Sequence, residues 1–498
     1  MGGVGVPAAA FETCRSIPRK TARRRRGPAG FEDDASRPIP AASGLQAIGA
    51  VFGASSRGAG NTHPSRFAPW RYGRIERSGP RTDRLIGHNR PSVKLSERLS
   101  QFGPGLLLAA TGIGVGDMVS STIAGAEYGL TLVWALVFGV IIKFAITEGA
   151  ARWQLATGAT LIEGWREVLP TAALAAFFIY FVIWSYFVSS ALVTASALVP
   201  AAIMPGVPLP VWGLLHAVAA VLMVWFGRYE RFLGVIKWFV GLKFVAIIAS
   251  VVLVLVWSGA DWSGFGARSP FSVAYTLSLI GGVGGTVTLL SYAYWMREAG
   301  WSGPARVPAA RTDLTLSFAL VFIFCFSMIF LSTQIEWTGQ ILEEGPRLCL
   351  LLADRIGREI GPIGRGVFLL GFWGAAFSSV LGVYHGVPFL FDDMLHVWRR
   401  RPALGQQGAA YRAWAVYLGA AAVSALLVRR PVWLVFAYTV VGSMFFPFVI
   451  STLLWLNNSS RIARSAKNGV LVNGVLGAAL LLYVYLAVRS LLEYSASR

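Results

Sequence analysis

Long apolar runs dominate this sequence and constrain how the chain can fold. A run of about 18 or more mostly apolar residues is long enough to cross ~30 Å of hydrocarbon as a helix. Only 14% of the residues are charged and 55% are hydrophobic, a balance that is not typical of a soluble domain. The sequence therefore predicts an all-α, polytopic membrane protein. The apolar runs predict about eleven transmembrane helices. They lie at residues 105–123, 130–153, 174–197, 211–226, 239–257, 273–295, 314–331, 367–391, 413–428, 432–456 and 470–488.

The first 95 residues have a different composition. They are rich in Gly, Pro and Ser and include the basic run Arg23 to Arg26, which no apolar signal-peptide segment follows. Such a composition predicts a disordered, basic cytoplasmic tail at 1–95, ahead of a transmembrane transporter domain at 96–498. The bilayer is the expected partner, and we expect no nucleic acid. The sequence does not predict an oligomeric state.

Positive charges are divided unevenly between the two sides of the predicted spans. If the tail is cytoplasmic, loops after even-numbered spans carry clusters such as Arg399 to Arg401, and Arg461 with Arg464. The opposite loops are poorer in cations, apart from the long loop 340–365. In membrane proteins, the loops that are rich in Lys and Arg are generally on the cytoplasmic side. We therefore expect an integral protein of the bacterial inner membrane with a cytoplasmic N-terminus and an external C-terminus.

Two of the predicted spans contain glycine-rich interruptions. The first has Gly-Ile-Gly-Val-Gly-Asp at 112–117, and the sixth has Gly-Gly-Val-Gly-Gly-Thr at 281–286. Glycines also permit close helix packing, which is the structural alternative. However, these spans open two halves of five spans each, 105–257 and 273–456, with an extra helix at 470–488. Interrupted helices at matching places in two halves indicate an inverted-repeat transporter with a site near mid-membrane.

Asp117 lies within the first interruption and is the leading candidate for binding a substrate. A carboxylate inside a span is costly to bury and usually faces a cavity, a cation or a partner charge. Hydroxyls of the sixth span and freed backbone carbonyls would complete an oxygen-rich set that suits a hard cation. Taken singly, each hydroxyl more often bonds its own backbone. The predicted metal ligands are Thr111, Gly114, Asp117, Gly284, Thr286 and Thr288.

Other polar residues within the spans favour structural roles. Lys143 and Glu148 lie near the cytoplasmic end of the second span, where the lysine is expected to snorkel to the interface. His385 is interpreted as a satisfied buried histidine rather than a ligand. The cysteines, Cys14, Cys325 and Cys349, form neither a disulfide framework nor a thiolate metal site. We find no nucleophile–base pair, catalytic motif or cofactor motif, so an enzyme is not predicted.

Several short motifs, in order along the chain, resemble one known family. They are Gly-Pro-Gly at 103–105, Ala-Gly-Ala-Glu-Tyr-Gly at 124–129, Leu-Ala-Thr-Gly at 155–158 and Phe-Pro-Phe at 446–448. Their order and spacing are similar to those of the Nramp family of divalent-metal transporters. The resemblance covers 103–488 and implies a LeuT-like fold of two inverted repeats of five helices.

The resemblance ends where that family binds its metal. The family's D-P-G-N motif falls on 114–117, so its Asp is replaced by Gly114 and its Asn by Asp117. The family's M-P-H motif falls on 285–287, which removes the soft thioether. Acids expected in the third span and an Arg expected in the ninth are missing from 184–197 and 414–428. The resemblance therefore implies the fold and the place of the site, but not the usual selectivity or proton route.

The leading prediction is a secondary transporter that moves a metal cation, such as Mg²⁺, by alternating access without the usual proton coupling. A carrier of the same fold for a small polar or cationic organic solute remains the alternative, because one carboxylate without a soft ligand also suits an ammonium group. A sensor derived from a transporter is the third possibility.

Overall fold

A computed structural model describes residues 103–257, 266, 273–334, 347–427, 438 and 441–496. The predicted tail, 1–95, lies outside the described residues. The described chain is helical, as the apolar runs predict. Its α-helices are α1 (Pro104–Gly112), α2 (Val115–Tyr128), α3 (Val133–Thr157), α4 (Leu161–Val168), α5 (Thr171–Ile203), α6 (Leu209–Phe226), α7 (Tyr229–Trp257), α8 (Val273–Gly282), α9 (Ser291–Glu298), α10 (Val307–Thr333), α11 (Arg347–Ile360), α12 (Pro362–Arg399), α13 (Ala409–Leu426), α14 (Phe445–Leu456) and α15 (Val470–Ala496).

The helices follow the order of the predicted spans. Six described helices are long and apolar enough to cross a membrane, namely α3, α5, α6, α7, α10 with the turn before it, and α12. The bent pair α1 and α2 makes a seventh candidate. The sixth predicted span is divided between α8 and α9, and α13 to α15 occupy the last three. The short helices α4 and α11 fall between predicted spans, where hydropathy alone gave no prediction.

Both predicted interruptions are confirmed as helix breaks. In the first, α1 ends at Gly112 and α2 begins at Val115, with a bend of 55° between them. In the second, α8 ends at Gly282 and a 3₁₀ turn begins at Val287. Gly284 and Gly285 have φ angles of 77° and 87° between these elements. L-residues with a Cβ rarely adopt that region, which explains why glycine occupies the break.

This conformation gives a first testable prediction, for Gly284→Ala. The substitution should destabilise the protein by roughly 1–2 kcal/mol, because an L-residue in the left-handed region carries that conformational cost. Crowding contributes little, since an added Cβ would lie 3.4 Å from the nearest atom, on Phe318. Thermal melting in detergent is the measurement.

Gly281→Ala is the matched control. Gly281 lies in the last turn of α8, and an added Cβ there would meet nothing within 4 Å. The Gly281→Ala variant should have the same melting temperature as the wild type. Equal melting temperatures for the two variants would contradict the assignment of strain to Gly284.

The longest helix forms the scaffold that surrounds the first break. Helix α12 has 38 residues and packs along α7, α5 and α11, while α10 packs against α2 and α3. Half-helix α1 contacts α12, α10 and α7. The breaks are close to each other, since an added Cβ on Gly112 would lie 3.0 Å from the Gly284 carbonyl oxygen. Both breaks are therefore enclosed by protein, which can satisfy backbone groups that lipid cannot.

A buried carboxylate with two arginine partners fixes the end of α3. Glu148 accepts from Arg152 Nε at 3.0 Å and from Arg311 Nη2 at 2.8 Å. Arg152 also donates to the Ala466 carbonyl and the Asn468 side chain, which joins α3 to the segment before α15. Glu148 thus has a structural role, as predicted, but its partners are arginines. A carboxylate this deep is retained because both cations are within contact distance.

Candidate functional site

Asp117 connects the two helix breaks. It lies in the first turn of α2, with 2% of its surface exposed, and its side chain turns back toward the break. Its Oδ2 accepts a hydrogen bond from Gly114 N at 3.0 Å, and its Oδ1 accepts one from Gly284 N at 2.6 Å. The first bond caps α2, where a negative charge is also favoured by the helix dipole. The second holds the sixth-span break against the first.

Lys143 fills the second break with its ammonium group. Its Nζ donates to the carbonyl oxygens of Gly281 and Val283, both at 3.0 Å, and of Gly285 at 2.9 Å. The ammonium also lies 4.1 Å from the centroid of the Phe446 ring. Lys143 has no exposed surface, so the prediction that it snorkels to the interface is wrong. The freed carbonyls at the end of α8 attract its charge inward instead.

Lys243 places its ammonium group at the first break. It lies on α7 with no exposed surface, and its Nζ is within 3.3 Å of the carbonyl oxygens of Ala109, Ala110 and Ile113. This residue was not among the predicted site residues. A lysine inside an otherwise apolar span was the available signal, because such a residue is costly unless it has partners.

The described residues bring more basic than acidic side chains to the breaks. Lys143 and Lys243 contribute two amino groups, and Asp117 contributes one carboxyl group. Within the described residues, no group of three or more His, Cys, Asp or Glu side chains is arranged to hold a metal. Backbone carbonyl oxygens accept hydrogen bonds from both lysines.

The predicted metal ligands lie around the two breaks and have varied partners. Thr111 Oγ1 donates to the Leu107 carbonyl at 2.6 Å, the backbone bond that a membrane hydroxyl usually makes. Thr286 Oγ1 accepts from Trp184 Nε1 at 3.1 Å. Thr288 is buried in the 3₁₀ turn. Gly114 and Gly284 direct N–H groups at Asp117, as described above. Cation binding by this set remains a prediction.

A soft sulfur atom lies beside Asp117. Cys325 Sγ, on α10, is 3.7 Å from Asp117 Oδ1, and the cysteine is fully buried. Its position in the middle of the seventh span gave no indication of this contact, because only helix packing brings α10 against α2. The site therefore contains a thiol that the sequence analysis did not include.

His385 has partners on both ring nitrogens. Nδ1 lies 3.0 Å from Trp295 Nε1 and Nε2 lies 2.6 Å from the Gln406 amide nitrogen. The ring also stacks on Phe232 with centroids 4.1 Å apart. This is the satisfied buried histidine that the sequence analysis favours, and it is no part of the site at the breaks.

The fold and the site together define a helical membrane protein of the broken-helix transporter class. The family model described as natural resistance-associated macrophage protein-like, or Nramp, matches residues 105–493. Since the match covers most of the sequence, the chain belongs to the Nramp family.

Curated relatives agree with this assignment. The divalent metal cation transporter MntH of Brucella suis biovar 1 is 24% identical over 321 residues, covering 59% of this chain and 68% of the relative. MntH of Pectobacterium carotovorum is 23% identical over 308 residues, covering 58% and 71% respectively.

Solved structures share the fold. A mutant of the Eremococcus coleocola manganese transporter has a TM-score of 0.66 at 13% identity, covering 81% of this chain and 88% of that one. MhsT in complex with L-phenylalanine has a TM-score of 0.51 at 15% identity, covering 78% and 98%. These likenesses confirm the LeuT-like fold.

Proposed function

We propose that this protein is a secondary transporter that moves a metal cation across the membrane by alternating access, with its substrate site at Asp117 between the two helix breaks. Membership of the Nramp family supports the class of substrate, since the relatives reported above are divalent metal cation transporters. The structural observation that carries the proposal is the convergence of three carbonyl oxygens on the Lys143 ammonium, beside a buried carboxylate. Such a shell is attractive to cations.

A bound metal would use the same oxygens that now accept from Lys143. The lysine side chain therefore has to leave the carbonyls of Val283 and Gly285 when the substrate binds, and Asp117 supplies the negative charge. Carbonyl and carboxylate oxygens favour a hard ion, for which we propose Mg²⁺. Cys325 Sγ is a soft atom in contact with the carboxylate, so binding of thiophilic ions should be compared with binding of Mg²⁺.

The test is a binding and uptake panel on purified full-length protein. We expect saturable binding of Mg²⁺ by calorimetry and uptake of Mg²⁺ into proteoliposomes, with Cys325→Ser leaving both unchanged. Strong Cd²⁺ binding that Cys325→Ser abolishes would assign the site to soft metals instead. Absence of binding for every metal tested would contradict the proposal.

The presence of two lysines beside a single carboxyl group favours a second candidate function. A small organic solute with a carboxylate of its own would balance Lys143, Lys243 and Asp117 without displacing either lysine. The site would then carry a polar organic solute in the same fold. Amino acids and small carboxylates therefore belong in the panel beside the metals. Saturable binding of one of them, with no metal response, would favour this alternative.

Proton symport along the usual family path is not part of the proposal. The predicted third and ninth spans, at 174–197 and 413–428, contain no Asp, Glu or Lys that could relay a proton. We therefore propose uptake without acidification of the vesicle interior, which a pH-sensitive dye can follow in the same experiment. Substrate-dependent acidification would overturn this part of the proposal.

Orientation gives a further testable prediction, for a protein in the bacterial inner membrane. The N-terminus and the loop 399–412 should be cytoplasmic, and the loop 340–365 should be external, because Lys and Arg are retained on the cytoplasmic side. Single cysteines introduced at each place are probed with an impermeant reagent on whole cells. Only the site in 340–365 should react, and lysed cells serve as the control. Labelling of the first two sites with protection of the third would reverse the orientation.

A further inference from the structure

The environment of Lys243 differs from that of an ordinary buried ion pair. Its Nζ lies 3.2 Å from the carbonyl oxygens of Ala109 and Ala110, 3.3 Å from that of Ile113 and 3.3 Å from Ser378 Oγ. These four acceptors are uncharged oxygens, and an ammonium has three N–H bonds to offer. The group is thus surrounded by an oxygen shell rather than held by a carboxylate.

The helix break creates this shell. In an unbroken helix the Ala110 carbonyl would accept from Gly114 N, but that N–H is directed at Asp117. The Ile113 carbonyl lies in the break itself, between α1 and α2. Both oxygens are therefore free to accept from other groups. The carbonyl dipoles at the end of α1 add negative potential at the same point.

Helix α12 closes the shell with hydroxyl groups. Ser378 Oγ lies 3.2 Å from the Ala110 carbonyl. Ser379 Oγ donates toward the same carbonyl at 3.2 Å and toward those of Thr111 and Ile113, both at 3.0 Å. Carbonyls of an interrupted helix combined with hydroxyl oxygens of a packed helix are suitable ligands for a small hard cation in a membrane transporter.

We propose that this shell is a monovalent-cation site that the protein fills with its own Lys243 ammonium. The acceptors that the described residues direct at the ammonium are all uncharged, so the shell suits a cation of a single charge. Because the ammonium is covalently attached, it holds the end of α1 against α12 without a free ion. A transporter built in this way needs no sodium or potassium ion at this position. Its acceptors are different atoms from the carbonyl oxygens of Gly281, Val283 and Gly285 at the proposed substrate site.

The test removes the ammonium and offers a free cation in its place. Full-length wild type and Lys243→Met are purified in detergent and melted in chloride salts of choline, sodium, potassium or ammonium at equal ionic strength. Methionine keeps a similar apolar length without charge or N–H groups. Lys237→Met is the matched control, because Lys237 is an exposed lysine on the same helix.

We expect wild type and Lys237→Met to melt at the same temperature in all four salts. Lys243→Met should melt at a lower temperature in choline chloride and recover at least half of that loss, saturably, in at least one of the other salts. A ligand that binds only the folded state raises its stability in this saturable way. Choline is too large for the shell and serves as the inert cation.

Two results would overturn the proposal. One is a saturable effect of sodium or potassium on the wild type, and the other is a Lys243→Met variant that melts identically in choline and in the small cations. If Lys243→Met yields no folded protein, Lys243→Ala is expressed with propylammonium, which has the three carbons and the ammonium group that the substitution removes. Failure of propylammonium to restore folded protein would equally overturn the proposal. No substrate is present in these measurements, so their outcome is independent of the proposed transport function.

Discussion

Lys143→Met is expected to lower the stability of the folded protein by at least about 3 kcal/mol, because three buried carbonyl oxygens lose their donor, at roughly 1–3 kcal/mol each. The substitution leaves three carbonyl oxygens of the second break without the ammonium that they now accept from. It also removes the positive charge next to Asp117, whose carboxylate accepts from Gly284 between two of those carbonyls. The measurement is thermal melting of purified protein, together with the yield of folded protein from membranes.

The proposed transport function adds a second expectation for this variant. If a metal cation uses the same carbonyl oxygens, Mg²⁺ should stabilise Lys143→Met more than it stabilises the wild type. Lys237→Met, at an exposed position, controls for the loss of one lysine. A Lys143→Met protein with the same melting temperature as the wild type would show that the ammonium does not stabilise the second break. A destabilised variant without any metal response would weaken the assignment of these carbonyls to the substrate.

Asp117→Asn is expected to reduce substrate affinity by at least about tenfold, since one pairwise charge interaction of ~1.4 kcal/mol already corresponds to that factor. It should also reduce stability by about 1.5–3 kcal/mol, the range for a hydrogen bond to a charged group. The loss of stability follows from the hydrogen bonds of the Asp117 carboxylate. The carboxylate accepts from Gly114 N and from Gly284 N, whereas an amide has a single acceptor oxygen. One of the two N–H groups must therefore face an NH₂ donor.

Affinity and melting temperature have to be measured together, because they separate the two roles of Asp117. Asp313→Asn is the control. Asp313 is also a buried carboxylate, accepting from the Tyr292 hydroxyl at 3.0 Å, so its loss should lower stability without changing affinity. If Asp117→Asn binds substrate as tightly as the wild type, the carboxylate only joins the two breaks. If the double variant with Lys143→Met loses less stability than the two single variants added together, the two charges interact.

Much of the architecture could be predicted from the local sequence. A membrane span must satisfy its own backbone hydrogen bonds and be apolar over a known length, so hydropathy identified the helices. The breaks were equally predictable, because glycine-rich stretches within a span indicate an interrupted helix. Gly284 and Gly285 adopt the positive φ angles that other residues disfavour. Asp117 stood out since a carboxylate inside a span is costly. Its neighbours along the chain did not reveal that it caps α2.

Only the tertiary structure decided which charges meet at the breaks. Lys143 donates to a carbonyl 142 residues further along the chain, and Lys243 reaches back 134 residues to Ala109. Cys325 approaches Asp117 because α10 packs on α2. Hydropathy and glycine patterns are properties of neighbouring residues, whereas these contacts depend on how separate helices pack. The sequence by itself determined a membrane protein with two broken helices, and the packing of those helices determined that lysine ammonium groups occupy the breaks.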